Sequence, residues 1–186
     1  MKSDLLPTSV EIGGTPYEIE SDFWAVRDIC IALSDPELDD RSKARIALEI
    51  FYPEFDNIPP EHYQEALDKC LWFINGGEEN APHRNQPRLY DFEQDTQLII
   101  AAINSNSPCD VRTLEHYHHW TFLSDFMEKV KDSTFAQVVA IRDKQARGKK
   151  LEKHEQEWLK HNQHLVDFKR KYTQLDDEIF NAWFSA

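Results

Sequence analysis

Three histidines and a glutamate cluster in residues 115–119, and they form the densest group of side chains in this sequence that could carry out chemistry. If this stretch is helical, His116 and His119 share one face, and Glu115 shares a face with His118 and His119. Two histidines and one carboxylate on adjacent turns could hold a metal ion. A metal site also needs ligands from a second element, however, and the surrounding residues are large and aromatic. We therefore interpret these histidines as structural and predict no metal.

Other catalytic motifs are incomplete or missing from the sequence. His154 and Glu155 begin like the zinc motif H-E-x-x-H, but Trp158 stands where the second histidine ligand is needed. The glycine-rich loops that bind phosphate and the G-x-S-x-G nucleophile motif do not occur. The carboxylates near Asp91 and Asp95 lack the glycine and the distal glutamate of a calcium loop. The sequence thus predicts a protein that is not an enzyme and that uses no cofactor.

The charge of the chain argues against further classes of function. The 186 residues include 21 lysines and arginines and 34 aspartates and glutamates, which gives a net charge of −13. Such a charge repels the phosphates of nucleic acids and of anionic membranes, so we expect neither as a partner. The charges are also segregated: residues 1–128 hold 9 basic and 25 acidic side chains, and residues 129–172 hold 12 basic and 6 acidic ones. The basic segment is either a solvated face that attracts the acidic part of the same molecule or a docking surface for another protein.

The cysteines and the apolar segments predict where the protein resides. Cys30, Cys70 and Cys109 are odd in number and form no C-x-x-C pair, which argues against a disulfide scaffold and a thiolate zinc site. The first residues lack an apolar region of signal-peptide length. No run approaches the ~20 apolar residues that a membrane span needs. We expect a soluble protein of a reducing cytoplasm.

The elements that position these residues are predicted to be mainly α. Val10 and Ile12 alternate with polar residues before a Gly-Gly turn, which indicates a short N-terminal β-hairpin. Apolar stripes then predict a compact bundle of about six to seven helices. The hairpin and the bundle form a single domain over residues 1–172, and residues 173–186 form an aromatic tail. Four large aromatic side chains are expected in the core: Trp72, Phe92, Trp120 and Phe122.

Several boundaries of these helices can be predicted. Ser21 is a plausible N-cap for the first helix, and Asp91 with Gln94 resembles a capping pair for the fourth. A fifth helix is expected over residues 113–129. The polar, proline-containing residues 77–88 are expected to form a loop.

A heptad pattern marks the last long helix, which is predicted over residues 151–172. Leu151, Trp158, Leu165 and Tyr172 recur every seven residues, with His154, His161 and Phe168 between them. This seam either lies as a stripe on its own domain or mediates self-association or the binding of a partner helix. The aromatic tail likewise either folds back onto the core or docks on a partner. Its aromatic residues are Phe180, Trp183 and Phe184.

Segments spread over residues 6–172 form a recognisable set. They are Leu6-Pro7-Thr8-Ser9-Val10, Tyr17-Glu18-Ile19, Ser21-Asp22-Phe23, Phe51-Tyr52-Pro53, Leu71-Trp72-Phe73, Asp91-Phe92-Glu93-Gln94-Asp95, His118-His119-Trp120-Thr121-Phe122 and Ile141-Arg142. Together they resemble the bacteriophage gene product 15 family of phages and prophages of Gram-positive bacteria. His119 departs from the family pattern, which tends to a second tryptophan after the histidine. Residues 175–186 have no support from the resemblance.

The resemblance implies a protein of the tail-morphogenesis region of a long-tailed phage. Family members are typically encoded between the tail tube and the tape measure protein, the place of tail assembly chaperones. A non-catalytic tail assembly chaperone in the cytoplasm of the bacterial host is therefore expected. Its partners would be the tape measure protein, the tail tube protein and further copies of itself. The expected partner-binding residues are Leu151, Trp158, Leu165, Tyr172, Lys149, Lys150, Phe180, Trp183 and Phe184.

Two other functions compete with the chaperone. The first is a structural tail or connector component that remains in the virion. The second is an acidic inhibitor of a host defence enzyme, in which the negative charge of residues 1–128 mimics nucleic acid.

Overall fold

The computed structural model of the chain describes residues 6–78, 87–105 and 107–183. Within these residues it contains eight α-helices and one antiparallel hairpin, which confirms the expected mainly α fold with a short N-terminal β-hairpin. Most of the loop expected over residues 77–88 lies outside the described residues, as does Phe184.

The hairpin is formed by β1 (Ser9–Ile12) and β2 (Thr15–Glu18). Gly13 and Gly14 connect the strands with φ angles of 55° and 78°, a left-handed conformation that glycine adopts without strain. A Cβ atom on Gly13 would lie 2.7 Å from the ring of His62, so a larger residue there would also require the His62 ring to move. A two-stranded hairpin is only marginally stable alone, and it is stabilised here because it packs on the first helices.

The first core forms between the hairpin and three helices. These are α1 (Phe23–Ser34), α2 (Asp40–Phe51) and α3 (Tyr63–Ile74), with short 3-10 turns at Phe55–Asn57 and Pro60–His62. Cys30 and Cys70 are both buried in this core, whereas Cys109 is exposed. Its buried residues are Val10, Ile12, Ile19, Val26, Ile29, Cys30, Leu33, Ala47, Leu48, Phe51, Tyr52, Ile58, Ala66, Leu67, Cys70, Phe73 and Ile74.

The second core adds α4 (Phe92–Asn104), α5 (His119–Lys129) and α6 (Thr134–Ala146), with a 3-10 turn at Val111–Thr113. Phe23, the first residue of α1, stacks on Phe122 with the ring centroids 3.9 Å apart, so α1 belongs to both cores. The buried residues of this core are Phe23, Ile99, Ile100, Ala102, Ile103, Val111, Tyr117, Phe122, Val130 and Phe135.

The third and smallest core joins α6 to α7 (Lys153–Val166). Val138 and Ile141 of α6 and Val166 of α7 are buried there. The last helix is α8 (Gln174–Trp183), which packs against α1. None of the helices in the described part of the chain combines the length and the apolar composition that crossing a membrane demands.

Three predicted boundaries are wrong. The N-cap of α1 is Asp22, one residue after Ser21, because the Asp22 carboxylate accepts the Trp24 N–H at 2.8 Å. The helix α5 begins at His119 and not near residue 113, because the chain before it is extended and forms a β-bridge between Asp22 and His118. The helix expected over residues 151–172 is α7, which ends at Val166 and contains non-helical backbone at Asn162.

The predicted N-cap of α4 is confirmed, but the reciprocal bond from Gln94 is not formed: the Asp91 N–H donates to Asp95 Oδ2 at 2.9 Å, and the Gln94 side chain bonds to residues 167 and 169. The side chain of Asp91 accepts the Gln94 N–H at 2.9 Å, and α4 begins at the next residue after the cap. This cap satisfies one of the N–H groups that every helix leaves without an intrahelical partner.

Candidate partner-binding surfaces

The histidine cluster is held by hydrogen bonds to other parts of the chain. His118 caps α5: its Nδ1 accepts the Trp120 N–H at 3.1 Å, so its Nε2 carries the proton and donates to the Pro7 carbonyl at 3.0 Å. The Nε2 atom of His119 lies 2.9 Å from the Ile74 carbonyl, and His116 bonds to Ser21 at 3.0 Å. Since α5 begins at His119, His116 and His119 do not share a helical face as the metal hypothesis required.

Burial disfavours the charged form of two of these histidines. It lowers the pKa of His118, and it lowers the pKa of His119 to about 4. Both rings are therefore neutral near pH 7. No group of three or more metal-ligating side chains is present among the residues that the structure describes.

Arg142 of α6 links the C-terminal end of α7 to α4 through polar contacts. Its guanidinium pairs with the buried carboxylate of Asp95, with Nη1 2.6 Å from Oδ2. It also donates to three carbonyls, those of Leu89, Leu165 and Val166, at 2.7 to 3.0 Å. Buried arginines are tolerated when their donors are satisfied in this way. No local pattern in the sequence indicates this pair, because its members lie on different helices 47 positions apart.

The chain after α7 is held against the start of α4 by hydrogen bonds. The side chain of Gln94 donates to the Asp167 carbonyl and accepts the Lys169 N–H, both at 2.9 Å. Further along, the Tyr172 hydroxyl bonds to Asp91. Burial, and then this hydrogen bond, raise the pKa of Tyr172. Residues 167–173 thus pass the N-terminal end of α4 instead of continuing the helix.

The predicted seam residues lie in different environments. Leu151, Trp158 and Leu165 are half-buried and pack on the third core, and Tyr172 lies beyond the end of α7 against Asp91. The four residues therefore do not form one continuous helical stripe. Of the other predicted residues, Phe180 and Trp183 lie on α8, and their side chains are outside the described part of the structure.

The predicted basic residues are exposed. Lys149 and Lys150 follow Gly148, whose φ of 63° ends α6 and turns the chain toward α7. The turn is fixed by an ion pair between Lys144 and Glu155, with the two charged atoms 2.6 Å apart. Lys153 and Lys160 on α7 are exposed as well. This end of the molecule therefore presents several cations to the solvent.

An apolar patch that the sequence did not single out lies on α5. Met127 is 72% exposed, and it shares a helical face with Trp120, seven residues earlier. Trp120 is half-buried, packs edge-on against Trp72 with centroids 5.5 Å apart, and donates its indole N–H to the Phe73 carbonyl. Gly77 lies against this indole so closely that a Cβ atom there would be 2.8 Å from the ring.

Of the four predicted core aromatics, Phe122 is buried, and Trp72, Phe92 and Trp120 are half-buried against the first core.

Comparison with protein families gives a match over nearly the whole chain. The family model described as "Bacteriophage Gp15 protein" matches residues 2–168, which include the hairpin and α1 to α7. Searches of curated proteins and of solved structures returned no match. The match ends before α8, in agreement with the expectation that the resemblance does not extend over the C-terminal residues. The chain belongs to the bacteriophage Gp15 protein family, and it is accordingly a phage structural or morphogenesis protein.

Proposed function

We propose that this protein is a non-catalytic tail assembly chaperone, which binds the tape measure protein in the cytoplasm of the bacterial host before the tail is built. The observation that carries the proposal is the family match over residues 2–168. The finer assignment to a chaperone rests on the place in the tail module that the resemblance implies. Non-catalytic action is supported by His118, both of whose ring nitrogens are bonded to the backbone, and by His119, whose Nε2 atom is bonded to the Ile74 carbonyl in a buried position.

Two surfaces support the binding of a long, largely helical partner. The apolar patch of Met127, Trp120 and Trp72 offers a flexible thioether and two aromatic rings, which are side chains that suit varied apolar helix surfaces. The basic turn with Lys149 and Lys150 offers cations for the acidic positions of such a partner. The seam residues Trp158 and Leu165 contribute less area, because they already pack on the third core.

The proposal is tested by co-expressing the chain with the tape measure protein of the same phage. We expect the tape measure protein to remain in the supernatant and to co-purify with the chain, and to precipitate when it is expressed alone. Absence of co-purification from the wild-type chain would contradict the proposal. Mass spectrometry of purified virions provides a second measurement: a chaperone is absent from them, and a stoichiometric amount in the particle would identify a structural component instead.

The contribution of the basic turn is tested by the double variant Lys149→Glu/Lys150→Glu. We expect this variant to bind the tape measure protein at least tenfold more weakly. The matched control is Arg41→Glu/Arg45→Glu, which makes the same change in net charge on the exposed surface of α2. If both variants lose affinity equally, the overall charge and not the basic turn is responsible.

A further inference from the structure

Two cations are buried in the otherwise acidic N-terminal part of the molecule. Lys43 of α2 is 3% exposed, and Arg88, shortly before α4, is 6% exposed. Lysine and arginine are almost never buried to this extent without a negative partner, because the loss of hydration is costly. Their position therefore calls for an acidic group that covers them.

The first turn of α8 supplies this acidic group. The Arg88 Nε atom lies 3.1 Å from an oxygen of Asp177, and Arg88 Nη2 donates to the Asp176 carbonyl at 3.2 Å. The hydrogen bond from the Thr173 N–H lowers the pKa of Asp176, and the charges of Lys43 and Arg88 lower it further. The carboxylates also lie at the positive end of the helix dipole, where negative charge is favoured.

The described contacts that fasten this end of the chain are mainly polar. Arg170 pairs with Asp35 at 3.3 Å and with Glu93 at 2.9 Å, and the Arg88 guanidinium lies over the Tyr172 ring at 3.9 Å. Leu175, in the first turn of α8, is 63% exposed. The Asp177 side chain is 34% exposed, whereas the side chain of its partner Arg88 is buried. Because a buried cation needs a negative partner, an acidic group can displace α8 only by pairing with Arg88 in its place.

The family match adds an independent observation. It ends at residue 168, so the matched part includes Lys43 and Arg88 but not the helix that covers them. Without α8, Lys43 and Arg88 would lose the carboxylate of Asp176, on which the charges of both act.

We propose that the Lys43–Arg88 surface is a docking site for the acidic first turn of a helix, that α8 occupies it within the same chain, and that an acidic helix of a partner protein binds by displacing α8. The partner helix would carry adjacent carboxylates in its first turn, as Asp176 and Asp177 do here. This proposal does not depend on the partner being the tape measure protein.

The test uses the full chain and, as the probe, a fluorescein-labelled peptide with the sequence of residues 173–186. In the wild-type chain the tethered α8 competes at high effective concentration, so the peptide should bind poorly. In the variant Asp176→Lys/Asp177→Lys, the ion pairs of α8 are replaced by repulsion with Lys43 and Arg88. We expect the peptide to bind this variant at least tenfold more tightly than the wild type in fluorescence anisotropy titrations.

Controls separate this site from a general electrostatic effect. Glu49→Lys/Glu54→Lys makes the same charge change on an exposed surface and should leave peptide affinity at the wild-type level. A peptide with asparagine in place of both aspartates should bind the Asp176→Lys/Asp177→Lys variant at least tenfold more weakly than the native peptide. Asp177→Asn removes only the pair with Arg88, and it should give an intermediate affinity if the double variant does not fold. Equal affinity for the two peptides, or equal affinity of the wild type and both Asp177 variants, would overturn the proposal.

Discussion

At the scale of the residue, His119 shows how a buried ring is fixed in one protonation state. It is 2% exposed, and its Nε2 donates to the Ile74 carbonyl at 2.9 Å. Its Nδ1 atom is buried with no hydrogen-bond partner in the described structure. Protonation would place a second N–H at Nδ1 where no acceptor lies, so both burial and geometry favour the neutral ring.

The buried ring should make the protein sensitive to acid. The pKa of His119 is about 4 in the folded protein, against 6.5 for an ordinary histidine, so the unfolded chain binds more protons between these values. The contribution of His119 to stability is complete above pH 6.5 and falls as the pH is lowered to 4, by about 3 kcal/mol in total. Urea unfolding at several pH values measures this loss.

Two variants test whether His119 is the source of this pH-dependent loss of stability. His119→Gln retains a donor for the Ile74 carbonyl but does not titrate, so its unfolding free energy should depend less on pH between 4 and 6.5. His154→Gln changes an exposed histidine and should keep the wild-type pH dependence. An unchanged pH dependence in His119→Gln would contradict the assignment.

At the scale of the element, Arg142 joins three helices through one side chain. It lies on α6, pairs with Asp95 of α4, and donates to the carbonyls of Leu165 and Val166 at the end of α7. Among the described residues, the third core has three buried apolar side chains with several half-buried ones packed against them, and this polar link adds to the attachment of α7. Phe168 adds to it, because the guanidinium lies 4.2 Å from the centre of its ring.

Removal of this link should be costly. We expect Arg142→Met to lower the free energy of unfolding by roughly 3 to 5 kcal/mol, because Asp95 is left as a buried charge without its partner. Arg147→Met breaks an exposed pair with Asp143 on the same helix and should cost less than about 1 kcal/mol. Denaturation followed by circular dichroism compares the two. Similar losses for both variants would show that burial of the Asp95 pair has no special effect.

At the scale of the whole molecule, the acidic start of the chain and the basic turn lie at different places in the fold. Residues from Val10 to Ile74 build the first core, and the second core combines residues of the acidic part with Val130 and Phe135 of the basic segment. The basic turn with Lys149 and Lys150 lies between the helices of the third core. The net charge of −13 therefore describes a molecule with an uneven charge distribution. Two molecules can attract one another through unlike regions although their total charges repel.

This distribution predicts that the repulsion between two molecules depends more on the position of a charge change than on its size. Lys149→Glu/Lys150→Glu and Arg41→Glu/Arg45→Glu make the same change in net charge. Molecules of the Lys149→Glu/Lys150→Glu variant should repel one another more strongly at low salt, because this variant lacks the basic region. The stronger repulsion appears as a higher second virial coefficient in light scattering. At about 0.3 M salt the Debye length falls to about 6 Å, and the difference should disappear. Identical coefficients at low salt would refute the prediction.

The sequence was sufficient where local chemistry decides the structure. The alternation around Val10 and Ile12 predicts the hairpin, and the pair Asp91 and Gln94 predicts the start of α4, because strand alternation and helix caps involve near neighbours. The start of α5 was missed because residues before His119 are held extended by a bridge to Asp22, 96 positions away from His118. Such a contact leaves no local pattern.

The seam shows a second limit of sequence patterns. A seven-residue period continues from Leu151 to Tyr172, but the helix ends at Val166, where Arg142 and Gln94 bind its last carbonyls and the residues that follow. The seven-residue period alone does not show where the helix ends, because the side chains that bind its last residues come from α6 and α4. The apolar patch around Met127 was missed for a related reason: Trp72 and Trp120 are brought together only by the packing of α3 against α5.

The three cysteines make the folded chain suitable for site-specific labelling. Cys109 is exposed between α4 and α5, whereas burial raises the pKa of Cys30 and Cys70 in the first core. A maleimide dye should therefore attach at one position in the native state, and it does so without any engineered residue. The two remaining thiols become reactive only when the first core opens. Their rate of modification under native conditions therefore measures how often this core unfolds.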